Sequence, residues 1–130
     1  MTTHTILVIE DSDDDYLAFQ RAVRSSPHPL QLERCRSGAE AQDYIQRAAE
    51  SGQWPSLVFL DLNMPGIDGR TLLRWLRGRG DARHLRLVVY STSDSPSDIA
   101  YCYSNCANAV HTKPAGFEQM RSSLLQIIDY

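Results

Sequence analysis

The chain has 130 residues, 42% of them hydrophobic and 22% charged, with a net charge of −3. That length suits one domain with its own core, and the hydrophobic share excludes a disordered chain. The basic residues are scattered, which excludes a nucleic-acid-binding stripe, and no apolar run approaches the length of a membrane span. Met1–His4 leads into an apolar strand without the pattern of a secretory signal, and Cys35, Cys102 and Cys106 form an odd set that reads as reduced thiols. The expectation is a single domain over residues 1–130, cytoplasmic, with no nucleic-acid or membrane partner.

Short apolar runs alternate with amphipathic segments along the chain. Thr5–Ile9 reads as a strand bounded by acids, and Ser12–Arg24 as a helix with Tyr16, Phe19 and Val23 at helical spacing. Leu30–Cys35 alternates apolar and polar residues, like a half-buried or edge strand. Gly38–Glu50 gathers Ala41, Tyr44, Ile45 and Ala48 on one helical face, and Ser51, Gly52 and Pro55 stop it. Leu57–Leu60 is continuous apolar sequence, as a strand covered on both faces requires. A loop with Pro65, Gly66 and Gly69 precedes a helix over Arg70–Arg77. Leu85–Tyr90 is a second buried strand, Pro96–Asn105 a short helix, Ala107–His111 a last strand and Phe117–Ile128 a last helix. Phe117, Met120, Leu124 and Ile128 form the expected buried stripe of that last helix. Five strands alternating with five helices predict an α/β fold, a doubly wound parallel sheet with helices on both faces.

Such sheets bind ligands at the carboxyl ends of their strands. There the sequence places Glu10 and Asp11 after the first strand, Asp61 after the third, Ser91 and Thr92 at the fourth, and Lys113 with Pro114 after the fifth. Carboxylates crowded on one rim repel one another until some protonate or a cation binds. Mg²⁺ meets that demand, because it takes one or two carboxylates and leaves room for phosphate oxygens. A phosphoryl group arriving beside Mg²⁺ and Lys113 would meet two cations, and phosphoryl transfer needs mainly positioning and neutralisation. Asp61 is the expected nucleophile and Ser91 a donor to a phosphoryl oxygen. Ser12, Asp13, Asp14 and Asp15 read differently, as a helix start: Ser12 and Asp15 have capping-box spacing, and first-turn acids suit the helix dipole.

The segments Ile6–Asp11, Phe59–Gly69, Val89–Ser93 and Thr112–Pro114 resemble the receiver domain of two-component response regulators over essentially the whole chain. The resemblance implies a (βα)5 sheet with the flavodoxin-like strand order 2-1-3-4-5. It implies that Asp61 accepts phosphoryl from a phosphohistidine on a sensor histidine kinase or phosphotransfer protein. Glu10, Asp11, Asp61 and the backbone carbonyl of Asn63 would hold Mg²⁺, Lys113 would contact the phosphoryl group, and Ser91 would move to meet it. Asn63 and Ser93 would tune its loss to water, and the Lys113–Pro114 bond would be cis. The chain looks like the small stand-alone regulators paired with bacterial phytochromes, with no output domain, so its output is expected to run through protein contacts. A homodimer through the fourth helix, fifth strand and fifth helix is one such contact, with Ile99, Tyr101, Tyr103, Val110 and Met120 as candidates. Kinase docking is expected at Asp14, Asp15, Ala18 and the Pro114–Phe117 loop.

Two positions depart from the family pattern. Glu10 stands where aspartate is common, and Val110 stands where the family carries a switch aromatic; Tyr103 and His111 are the candidates to compensate. Other readings are a non-phosphorylated binding module, which the complete acid–lysine set opposes and Val110 keeps open, and a haloacid-dehalogenase-type phosphatase. The latter would need a second acid two residues after Asp61, where Asn63 stands.

Overall fold

A computed structural model describes residues 4–129. Strands β1 (His4–Ile9), β2 (Leu30–Cys35), β3 (Leu57–Leu60), β4 (Leu87–Ser91) and β5 (Ala109–Thr112) alternate with helices α1 (Asp13–Ser25), α2 (Gly38–Ser51), α3 (Gly69–Gly78), α4 (Pro96–Ser104) and α5 (Phe117–Asp129). All strand pairs are parallel, and the order across the sheet is β2-β1-β3-β4-β5. This is the flavodoxin-like arrangement expected for the family. Among the described residues, no helix is long and apolar enough to cross a membrane.

Period-two alternation divides the strand residues between two cores. Leu7, Ile9, Val58, Leu60, Leu87 and Val89 face one side, where they pack with Ile45 of α2, Leu72, Leu73 and Leu76 of α3 and Cys102 of α4. Ile6, Val8, Phe59, Val88 and Tyr90 face the other, against Phe19 of α1 and Met120 and Leu124 of α5. There Phe19, Phe59 and Tyr90 meet edge to face, with ring centroids 5.0, 5.9 and 6.1 Å apart. Such a cluster adds directional contact to plain burial. It also braces the ends of β3 and β4, since Phe59 lies two residues before Asp61 and Tyr90 directly precedes Ser91.

Strand register then fixes the rim. Ile9 pairs with Leu60, so the next residues, Glu10 and Asp61, emerge side by side, and the Asp61 N–H donates to the Ile9 carbonyl at 3.1 Å. Ser91 pairs with Thr112, and the Lys113 N–H donates to the Ser91 carbonyl at 2.8 Å. A one-residue slip in either pair would turn these side chains to the opposite face.

Four local expectations differ from the structure. β4 starts at Leu87, because Leu85 closes a 3₁₀ turn around Gly80–Ala82 through its N–H to the Ala82 carbonyl. β5 starts at Ala109, because the Ala107 N–H closes the end of α4 on the Cys102 carbonyl. Phe117 is 44% exposed: it opens α5 at the rim, above the layer where Met120 and Leu124 are buried. No described peptide bond is cis, so Lys113–Pro114 takes the trans form that X-Pro bonds intrinsically favour.

Gly69 holds the Asp61 loop against the start of α3. Its N–H donates to the Leu62 carbonyl, and a Cβ there would lie 2.2 Å from the Asp61 carbonyl oxygen and 2.5 Å from the Leu62 Cα. These are backbone atoms, which cannot swing aside as a flexible side chain would. Gly69→Ala is therefore expected to destabilise the fold by about 1–3 kcal/mol, as overpacking does. Urea unfolding at neutral pH checks this, with an unchanged midpoint as the contrary result.

Candidate functional site

Glu10, Asp61, Ser91 and Lys113 are the buried polar residues at the carboxyl rim, at 2%, 6%, 1% and 8% exposure. Asp11 sits beside them, exposed. Carboxylate oxygens of Glu10, Asp11 and Asp61 all lie within 4.8 Å of one another. The Lys113 Nζ donates to Glu10 Oε1 at 2.5 Å, to Asp15 Oδ2 at 2.7 Å and to Asp61 Oδ2 at 3.3 Å. The five residues that sequence reasoning gathered from four strand ends are thus one cluster.

Asn63 lies at the mouth. Its backbone N–H donates to Asp61 Oδ1 at 3.2 Å, and its side-chain amide donates to Ser91 Oγ at 3.3 Å. The Asn63 carbonyl accepts no hydrogen bond from the described residues. Ser91 Oγ also accepts from the Ser93 N–H at 3.4 Å.

Burial and charge act against each other on the ionisable groups. Desolvation lifts the Glu10 carboxyl from 4.5 to about 7, in spite of the neighbouring Lys113 ammonium. Burial would lower Lys113, but the carboxylates of Asp15 and Glu10 outweigh it and raise the ammonium above its ordinary value. Three carboxylates, those of Glu10, Asp15 and Asp61, contact this one ammonium, and a fourth, Asp11, lies beside Glu10 and Asp61. Such an excess of hard oxygen donors fits a divalent cation, with Glu10, Asp11 and Asp61 as the acids able to reach it.

Several neighbours were not legible as site residues. Asp15 keeps its backbone in the α1 cap, donating its N–H to Ser12 Oγ, but its carboxylate turns to Lys113 instead of completing a capping box. The Ser12 N–H goes to Glu10 Oε2 instead. Arg34 on β2 donates to the Glu10 carbonyl at 2.9 Å and to Asp13 at 2.7 Å, with its guanidinium 4.7 Å from the Tyr16 ring centroid. The arginine thus ties the end of β1 to the start of α1. Sequence distance hides it, and its only signal was a cation on the neighbouring strand.

A second network runs from Ser91 to the sheet's other face. Ser93 Oγ donates to Asp98 at 2.5 Å, and Arg70 grips both oxygens of Asp98 at 2.7 and 2.6 Å. The Arg70 guanidinium, with the Ser93 hydroxyl, lowers Asp98 to about 2. Tyr101 Oη donates to the Arg70 carbonyl at 3.2 Å. The start of α3, the β4–α4 loop and α4 are thereby joined. At the aromatic position of the last strand, the Val110 N–H donates to Tyr103 Oη at 3.3 Å, so a tyrosine from α4 covers the backbone that the family pattern assigns to a ring on β5; His111 is exposed.

Among the residues expected at a docking surface, Asp14 is exposed, but Ala18 is fully buried on the core-facing side of α1. Met120 is also core, whereas Tyr103 is 52% exposed.

The model of the response regulator receiver domain matches residues 6–125. The chain belongs to that family. It is 31% identical over 126 residues to the probable methanogenesis regulatory protein FilR2 of Methanothrix harundinacea, covering 96% of this chain and 81% of the relative. It is 30% identical over 117 residues to the response regulator Rcp1 of Synechocystis sp., covering 88% and 80%. The Mn²⁺-bound Rcp1 crystal structure superposes with a TM-score of 0.91 at 28% identity, over 98% of this chain and 93% of that one. The phosphorylated cyanobacterial phytochrome response regulator RcpA gives 0.92 at 29% identity, over the same shares. A receiver domain of this family is a signalling switch, and the Mn²⁺ in Rcp1 accords with the acidic trio here.

The raised Glu10 carboxyl makes cation binding pH-dependent. A carboxyl lifted in the fold favours the metal-free protein fully below its ordinary value, and that contribution is lost as pH rises through about 7. At pH 5.5 a cation must displace the Glu10 proton; at pH 8 it need not. Addition of Mg²⁺ is therefore expected to raise the melting temperature more at pH 8 than at pH 5.5. Equal shifts at both values would contradict this.

Proposed function

We propose that this receiver domain accepts a phosphoryl group on Asp61 from the phosphohistidine of a sensor histidine kinase or phosphotransfer protein, and signals through protein contacts. The observation that carries the reading is the setting of Asp61. Its carboxylate is buried at the centre of the rim, 3.3 Å from the Lys113 ammonium and flanked by Glu10 and Asp11. Glu10, Asp11, Asp61 and the Asn63 carbonyl would hold Mg²⁺, which supplies neutralising charge for phosphoryl oxygens.

The chain's own groups account for the rest. A carboxylate oxygen of Asp61 attacks phosphorus as the P–N bond of the donor breaks and the electron pair leaves with the imidazole. Lys113 shifts its Asp61-directed N–H to a phosphoryl oxygen. Ser91 Oγ, held by the Asn63 amide and the Ser93 N–H, turns its hydroxyl toward the same group. Movement of Ser91 disturbs Ser93, Asp98 and Arg70 in turn, which sends the signal to the surface of α3 and α4. Val110 leaves no inward-turning ring to carry it along β5. Similarity to RcpA, named as a phytochrome response regulator, supports a bacteriophytochrome as the kinase. Half-buried Ile99, Tyr101 and Val110, with exposed Tyr103, leave the α4–β5–α5 face open to a second copy.

Incubation with acetyl phosphate is expected to add the mass of one phosphoryl group in Mg²⁺, and nothing in chelator or in Asp61→Asn. Absence of any gain in wild type would favour a binding module instead. With a phosphoryl mimic bound, amide hydrogen exchange is expected to change over Ser91–Tyr101 and at the start of α3. Arg70→Gln is expected to confine the change to the β4–α4 loop. A profile identical in wild type and variant would exclude the Arg70 route.

A further inference from the structure

We infer that Asp15 is a positioning residue for phosphoryl acceptance: it is the standing counter-ion of Lys113, and its charge sets the balance between cation and phosphoryl affinity at the site. This deepens the proposed function and rests on it.

The argument begins with the donors of Lys113. An ammonium has three N–H groups, and here each meets a carboxylate. The two short bonds go to Glu10 and Asp15, and the long one, 3.3 Å, goes to Asp61. The long bond is the one a phosphoryl group on Asp61 would replace. Glu10 belongs to the acidic trio whose oxygens approach one another closely enough to share a cation; Asp15 does not. Once Glu10 turns its charge to a cation, Asp15 is the carboxylate left to hold Lys113.

Local structure shows that this placement is not a by-product of helix capping. Residue 15 stands at the third position of α1, where a capping-box acid returns its side chain to the N-cap N–H. The Asp15 N–H does bond Ser12 Oγ, but the Ser12 N–H bonds Glu10 Oε2, and the Asp15 carboxylate is committed to Lys113, a residue that is 8% exposed. The cap is therefore complete in the backbone without the Asp15 side chain. The side chain spans from the first helix to the fifth strand's end and is 28% exposed at the edge of the cluster. A negative charge there strengthens any cation bound by the trio and opposes a dianionic phosphoryl group. It also keeps the ammonium from moving fully onto the phosphoryl oxygens.

The two effects have opposite signs, which separates positioning by charge from a structural lesion. Asp15→Asn keeps an oxygen that can accept from Lys113 and removes the charge. Calorimetric titration of the full chain is expected to show weaker Mg²⁺ binding and, at saturating Mg²⁺, tighter beryllofluoride binding. Each change is expected to be roughly three- to tenfold, the size of one unit charge at about 4 Å in the dielectric of water. Asp15→Glu, which restores the charge, is expected to return both affinities to within about twofold of wild type. If Asp15→Asn weakens both ligands, the residue is structural and the inference fails; if neither affinity changes, it fails as well. A wild-type protein that binds no beryllofluoride would overturn the receiver chemistry of Asp61 and this inference together. Wild-type binding with an unmoved Asp15→Asn variant would overturn only the role of Asp15.

Discussion

The buried Lys113 ammonium is the interaction on which the rest of the site depends. A cation with so little exposure is stable only if carboxylates replace its lost water, and here they come from β1, α1 and the end of β3. Removing one partner of such a buried group leaves an uncompensated charge, which in general costs about 3–5 kcal/mol. The arrangement therefore ties three elements to the end of β5. The β1–β3 and β4–β5 registers supply the precision. They align Glu10 with Asp61 and Ser91 with Lys113 before any side chain has to adjust.

The same arrangement leaves the site under-neutralised. Lys113 answers part of the negative charge of four carboxylates, and desolvation drives Glu10 toward protonation at neutral pH. A fold that keeps its rim in this condition is prepared for cations and for groups that bring cations with them. Stability of the empty site and capacity for ligand thus draw on the same carboxylates. On the proposed function, proton, metal and phosphoryl occupancy would therefore be linked and not independent.

Much of this was legible in the sequence, for a definite reason. Strand ends can be read from apolar runs, and in a parallel sheet they converge, so Glu10, Asp11, Asp61, Ser91 and Lys113 could be assembled without coordinates. The strand order followed from the family resemblance, and the placement of helices on both faces of the sheet from the alternation of strands and helices. What escaped was side-chain reach. Asp15 occupies a position that capping chemistry explains well, and nothing local says that its carboxylate leaves the cap for a lysine 98 residues away. Arg34, Arg70 and Asp98 likewise sit on ordinary strand and helix positions, and only the folded distances of 2.6–2.9 Å make them partners. Phe117 fitted an apolar stripe by spacing, yet the first turn of α5 stands above the core layer and leaves it 44% exposed.

The departure at Val110 gains a physical meaning from these contacts. A branched aliphatic side chain has no ring to swing inward, so β5 offers no bistable rotamer of its own. Tyr103 does reach the Val110 N–H, but from α4 and from the exposed side of the edge strand, where it caps the backbone and does not enter the core. Directly beside Ser91, by contrast, lies a bonded chain through Ser93 and Asp98 to both carboxylate-facing nitrogens of Arg70. Planar, two-point pairing of this kind is sensitive to direction, and it loses a bond when either partner rotates. A displacement of Ser91 therefore meets a rigid element toward α3 and α4 and a passive one toward β5. On the proposed function, this stiff two-point pairing is where a small movement at the rim would become a change of surface.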